Sequence, residues 1–176
     1  LIGAKMRASA TAAYSEKQRF RQWWLWLLLL IFPVGSLWAV FQQIILGSPF
    51  GNNPGSDWLL ITLVLISVVF TLFMYVIGLD TEVAEEGLRI RFWQFHLNWV
   101  VFPFSSIQKA EAVTYRPMMD YGGWGIRYGS KGKAYNVRGD KGVFLTLSEG
   151  RNLLIGSQNH EELCTRINQM MDSPPK

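Results

Sequence analysis

The sequence predicts a two-helix transmembrane hairpin followed by one small β-rich domain, about seven or eight antiparallel strands closed by a C-terminal helix. Three observations carry this. Two uncharged apolar runs, 22–46 (QWWLWLLLLIFPVGSLWAVFQQIIL) and 58–79 (WLLITLVLISVVFTLFMYVIGL), are each long enough to cross a hydrocarbon core of about 30 Å, which takes roughly 20 helical residues. The stretch between them, 47–57 (GSPFGNNPGSD), is turn-rich and too short for anything but a hairpin loop. From residue 80 onward charges and glycines return and the apolar residues alternate.

The elements follow in order. Residues 1–21 read as a cytoplasmic N-terminal segment. Ser15 with Gln18 three residues on forms a capping-box pair, so a short amphipathic helix is expected to lead into the first span. The sequence opens with Leu1, and Met6 is a candidate start. Trp23, Trp24 and Trp26 begin the first span and Trp58 opens the second, as expected of indoles at a membrane–water interface. Pro33 and Gly35 predict a kink. The first run is too long for the apolar core of a secretion signal, and a second span follows it, so it reads as an anchor. Lys5, Arg7, Lys17, Arg19 and Arg21 precede the first span, the 47–57 loop has no Lys or Arg, and every other basic residue follows the second span. Basic residues are retained on the cytoplasmic side, which places both termini there and the loop outside: a multi-pass protein of a plasma (inner) membrane. Neither span holds a charged residue, which argues against a pump or transporter. Ser67 and Thr71, four apart, either line a helix–helix contact or bond back to their own backbone.

Residues 80–172 read as one cytoplasmic domain. Strands are expected at Thr81–Ala84, Leu88–Phe92, Trp99–Phe104 (an edge, from Pro103), Gln108–Tyr115, Gly125–Tyr128, Ala134–Val137, Val143–Leu147 and Asn152–Ile155, with turns at 85–87 and 148–151. Asn159 and Glu162 then start a helix whose apolar face is Leu163, Ile167 and Met170 or Met171. Residues 173–176 (SPPK) form a terminating tail. A twisted sandwich or partly open barrel with the helix over one end suits this content.

Three segments, EEGLRIRF, VVFPFSSIQKAEAV and GVFLTLSEGRNLLIGSQNHEELCTRI, have an order and turn pattern that resembles the bacterial pleckstrin-homology-like (PH-like) domain. The likeness covers residues 80–171 and includes the paired spans that such membrane-anchored proteins carry ahead of the domain. It implies a binding or scaffolding module. It brings no catalytic residue and no named ligand, although eukaryotic relatives bind phosphoinositides.

The densest polar segment is 121–141 (YGGWGIRYGSKGKAYNVRGDK). It sets Arg127, Lys131, Lys133, Arg138 and Lys141 against Asp140, an excess equal to the formal net charge of the whole chain, +4. These five residues are the candidate anion site, for anionic lipid head groups or an acidic partner, or else a solvated hairpin that keeps an apolar chain soluble. Nucleic acid is not the expected partner. The glycines nearby do not make a phosphate loop: Arg127 stands where Gly is required and Ala134 where Ser or Thr is. Trp124 is expected in the core. His160 and Cys164 mimic part of a zincin helix but lack its second His and third ligand. Cys164 reads as a small core residue, and a lone cysteine suits a reducing compartment. No pattern calls for a cofactor, metal or acid–base pair, so the expectation is a non-enzymatic, bilayer-tethered module with a lipid or protein partner. The alternative is a small accessory subunit of a membrane complex, its helices making the main contacts. Exposed strand edges leave homo-oligomers open.

Overall fold

The computed structural model describes residues 12–148 and 150–172. The tail at 173–176, Glu149 of the expected 148–151 turn, and Lys5 and Arg7 of the basic N-terminal set lie outside them. The chain divides into two compact units, Phe20–Ile77 and a second unit built from the flanking segments on either side of it.

The first unit is a helical hairpin. Helix α1 (Trp23–Val40) continues through a π turn (Phe41–Ile45), and α2 spans Asp57–Val76. Both helices are long and apolar enough to cross a membrane. Their side chains stay outward: Pro33, Ala39 and Leu60 are the buried residues of the two helices, while Phe32, Trp58 and Leu65 are exposed. Ser56 caps α2, its Oγ accepting from the Leu59 N–H. Ser36 and Ser67 meet across the pair at 3.3 Å, and Trp26 packs edge-on against Tyr75. Ser67 and Thr71 also bond back, to the Val64 and Ser67 carbonyls, so both expectations for this pair hold in part. Gln43 ties the loop down, donating to the Gly55 carbonyl and the Asp57 carboxylate.

Among the described residues the second unit has nine strands in two sheets, one or two more than expected. The first sheet has the order β1 (Tyr14–Arg19), β2 (Gly78–Ala84), β3 (Gly87–Phe92), β4 (Val100–Phe102), all antiparallel. The second has β5 (Ile107–Thr114), β8 (Lys141–Leu147), β9 (Asn152–Gly156), β7 (Gly132–Asn136) and β6 (Gly125–Gly129) side by side. Here β7 and β9 run parallel, so the all-antiparallel expectation fails at that pair. The cause is the connection: β8 intervenes in sequence, and β9 returns beside β7 in the same direction. A short helix, α3 (Pro117–Tyr121), was not expected; Pro at its start and Gly122 in the left-handed region at its end bound it. The C-terminal helix α4 (His160–Asp172) buries Leu163 and Ile167 of the expected face together with Cys164, while Met170 and Met171 are half-buried. It packs along β5 and β8.

Two expectations near the spans are corrected. The 14–19 segment is a strand rather than a helix, paired with β2 from Tyr14 opposite Val83 to Arg19 opposite Gly78. The second apolar helix ends at Val76, and Gly78 and Leu79 already belong to β2. The β unit therefore starts before the spans and resumes at Gly78, and the helical hairpin is an insertion into the β1–β2 hairpin. Side chains that bond sideways hold β1. Gln18, 2% exposed, donates to the Gly156 carbonyl at 2.6 Å. Glu16 accepts from the Tyr14 and Ser157 hydroxyls and from the Gln158 N–H.

The main core combines Leu79, Val83, Leu88 and Ile90 of the first sheet with Val143, Leu145 and Ile155 of the second and Leu163 and Ile167 of α4, all fully buried. Each such side chain contributes about 1.5–3 kcal/mol. A smaller cluster of Tyr115, Tyr121, Ala134 and Leu154, with Val113 and Phe144, is built around α3 and the second sheet.

Candidate functional site

The five predicted cations do not form one patch. Arg127 lies on β6, exposed, its Nε donating to the Trp124 carbonyl at 2.9 Å. Lys131, in the β6–β7 turn, lies 3.8 Å from Asp120. Asp120 also accepts the Arg116 N–H at 2.9 Å, and that bond holds its carboxyl below the usual range. Lys133 lies over the rings of Tyr128 and Tyr135, 5.4 and 4.6 Å from their centroids. Strand alternation puts Lys133 and Ala134 on opposite faces of β7, and Arg127 shares the Ala134 side. Arg138 and Lys141 sit beyond the far end of β7. Arg138 lies in the 137–140 bend that follows β7 and Lys141 opens β8, at the other end of the β6–β7 hairpin from Lys131. Arg127, Lys131 and Lys133 are thus each engaged by a different partner. Trp124 is half-buried rather than a core residue, its Nε1–H donating to the Gly139 carbonyl. Cys164 is buried as expected, Sγ donating to the Ala110 carbonyl at 3.4 Å, and burial pushes its thiol pKa up. Among the described residues there is no group of three or more side chains suited to hold a metal ion.

The concentrated polar chemistry lies on the face of the first sheet opposite the main core. Register places Asp80 opposite Arg91 and Glu82 opposite Arg89. Asp80 is 2% exposed, and its two oxygens take three donors: Arg19 Nη1 at 2.9 Å, Arg91 Nη2 at 3.1 Å and Trp93 Nε1 at 3.0 Å. The Arg91 guanidinium lies 4.9 Å from the Trp93 centroid and 4.7 Å from that of Trp99, so an indole covers it from either end of the β3–β4 connection. Arg89, itself 7% exposed, pairs with Glu86 at 3.2 Å and Glu82 at 3.7 Å. Three donors on one buried carboxylate fix the positions of both guanidinium groups and of the Trp93 indole.

The β3–β4 connection, 93–99, grows from this cluster. The Trp93 N–H donates to the Gly78 carbonyl at 2.7 Å. The Phe95 and His96 N–H groups both turn back to the Phe92 carbonyl, and the Phe92 N–H reaches His96 Nδ1 at 3.3 Å. Gln94 takes φ +76°, the turn these bonds require. The His96 ring packs on Tyr135. Burial, with the Lys133 charge behind it, lowers the His96 pKa from its ordinary value.

Sequence reasoning missed this cluster. Asp80 looked isolated because its partners are 61 and 11 residues away. The visible signal was the pair Trp93 and Trp99 bracketing a seven-residue stretch just after a strand whose outward residues are both Arg.

Within the helical unit, an apolar cleft of about 440 Å³ opens between α1 and α2, lined by Leu28, Phe32, Ser36, Leu63, Ser67 and Phe70 among others. No protein-family model matches the chain, and no curated protein matches its sequence.

Proposed function

We propose that the chain is a membrane-anchored, non-enzymatic binding module: a PH-like β domain held on the cytoplasmic face of a plasma (inner) membrane by a two-span hairpin, presenting its surface to a protein partner. The insertion of the helical hairpin between the paired strands β1 and β2 carries this reading. Because Arg19 and Gly78 face each other, the chain leaves and re-enters the β unit at one strand end, which requires an even number of crossings. The outward apolar faces of α1 and α2 supply a reason for a lipid environment. The two sheets and the final helix support the PH-like comparison, and the dispersal of the five cations favours a protein partner over recognition of head-group charge.

The test is single-cysteine labelling in intact cells with a membrane-impermeant maleimide. Ser48→Cys, in the loop between the helices, labels from outside. Lys141→Cys, in the β unit, labels only after permeabilisation. External labelling of Lys141→Cys overturns the orientation.

The α1–α2 cleft favours a second reading, an accessory subunit whose helices make the main contacts. That reading predicts that Ser36→Leu, which fills the cleft, releases a co-purifying membrane partner while the β unit stays folded.

A further inference from the structure

The 93–99 connection (WQFHLNW) contains no Lys, Arg, Asp or Glu. Its apolar side chains face outward: Trp93 is 41% exposed, Phe95 59% and Leu97 97%. The backbone bonds described above, the edge-on packing of Phe95 on Phe92 and the seat of His96 on Tyr135 fix this shape. The exposure is therefore built in, and a rigid apolar tip in water calls for something to cover it. The foot of the connection is fixed to Gly78, two residues beyond Val76, the last residue of α2. Two residues of extended chain reach at most about 7 Å, so covalent connection alone keeps the foot of the loop close to the end of an apolar helix.

We propose that this loop seats in the interfacial layer of the bilayer that its own helices cross, Trp93 at head-group level and Phe95 and Leu97 at the acyl boundary. Indole rings concentrate at that level, and peripheral apolar groups enter it to about 5–10 Å. The loop carries no permanent charge to desolvate, and its one titratable group, His96, is held toward the neutral form. Arg91, at the root of the loop, is already matched by Asp80 and covered by Trp93 and Trp99. The loop thus gives the β unit a second hold on the membrane and fixes which surface remains open to a partner. This rests on the membrane-anchored reading.

The test uses the full chain in phosphatidylcholine vesicles. Leu97→Cys carries an environment-sensitive fluorophore; Thr165→Cys, on an exposed position of α4, is the control. The parent chain, with buried Cys164, gives the labelling background. Vesicles with nitroxides just below the head groups should quench most of the Leu97 label's blue-shifted emission and leave the Thr165 label as in water. Adding phosphatidylglycerol changes neither, because the contact is apolar. Phe95→Asp in the Leu97→Cys chain returns the emission to its aqueous value. An aqueous, unquenched Leu97 label on a chain that floats with the vesicles overturns the loop proposal alone, as does equal quenching of both labels. A chain that does not float with the vesicles overturns the anchored reading beneath it.

Discussion

Asp80 ties Arg19, before the helices, to Arg91 on β3 and Trp93 at the root of the next connection. Removing its carboxylate leaves two guanidinium groups without their counter-charge in a largely desolvated cluster. Losing one partner of a buried pair costs about 3–5 kcal/mol, and the partial exposure of both arginines, 25% and 27%, favours the lower figure. Asp80→Ala should therefore destabilise the β unit by about 3 kcal/mol, read from denaturant unfolding of the full chain in detergent. Asp80→Asn, which keeps an acceptor for Trp93, should lose less. His96 supplies a pH dependence. Its folded pKa lies below the ordinary 6.5, so the unfolded chain binds the proton more readily. The contribution is complete above that value and falls away as pH drops below it, when a charged imidazole must sit against Tyr135 and near Lys133. His96→Gln should flatten the stability profile below pH 6.5, measured as unfolding midpoint against pH.

At the scale of elements, β1 decides whether the first sheet is complete. Its pairing depends on close approach at Gly78: a Cβ there would strike the Gln18 carbonyl oxygen and the Arg19 side chain. Gly78→Ala should loosen the β1–β2 pair by about 1–3 kcal/mol. Faster hydrogen exchange at the 14–19 amides would report it, with the second sheet unaffected. The same strand shows what the sequence hides. Strands β3 and β8 were legible because their inward residues are apolar at period two, β9 because Leu153, Leu154 and Ile155 form a short apolar run after a turn, and α4 because Leu163 and Ile167 repeat at period 3.6. In β1 the inward residues are Tyr14, Glu16 and Gln18, satisfied by hydrogen bonds to residues about 140 positions away, so hydropathy is silent and a local capping box takes its place. The spread of the five candidate cations was hidden for a related reason. Five cations within fifteen residues look like a patch, but a β-hairpin sends neighbours to opposite faces and opposite ends, and only register reveals it. The Asp80 cluster is built from such register and from an insertion, neither of which is readable from spacing along the chain.

For the whole molecule, the apolar helical hairpin is inserted into the first β-hairpin of the β unit rather than placed ahead of a self-contained domain. A chain cut at residue 80 then lacks an edge strand, one of the three donors to Asp80 and the Gln18 and Glu16 bonds to the second unit's other sheet and its flank. The adjacency of Arg19 and Gly78 also means that residues 20–77 are replaceable by a two-residue Asn-Gly turn of the kind that closes antiparallel pairs. The decisive measurement compares the unfolding of that shortened chain with the unfolding of fragment 80–176. The insertion predicts that the shortened chain is soluble and unfolds in one cooperative transition, while the fragment is markedly less stable or fails to fold. Equal stability of the two would contradict it, because β1 would then be no part of the domain that it pairs with here.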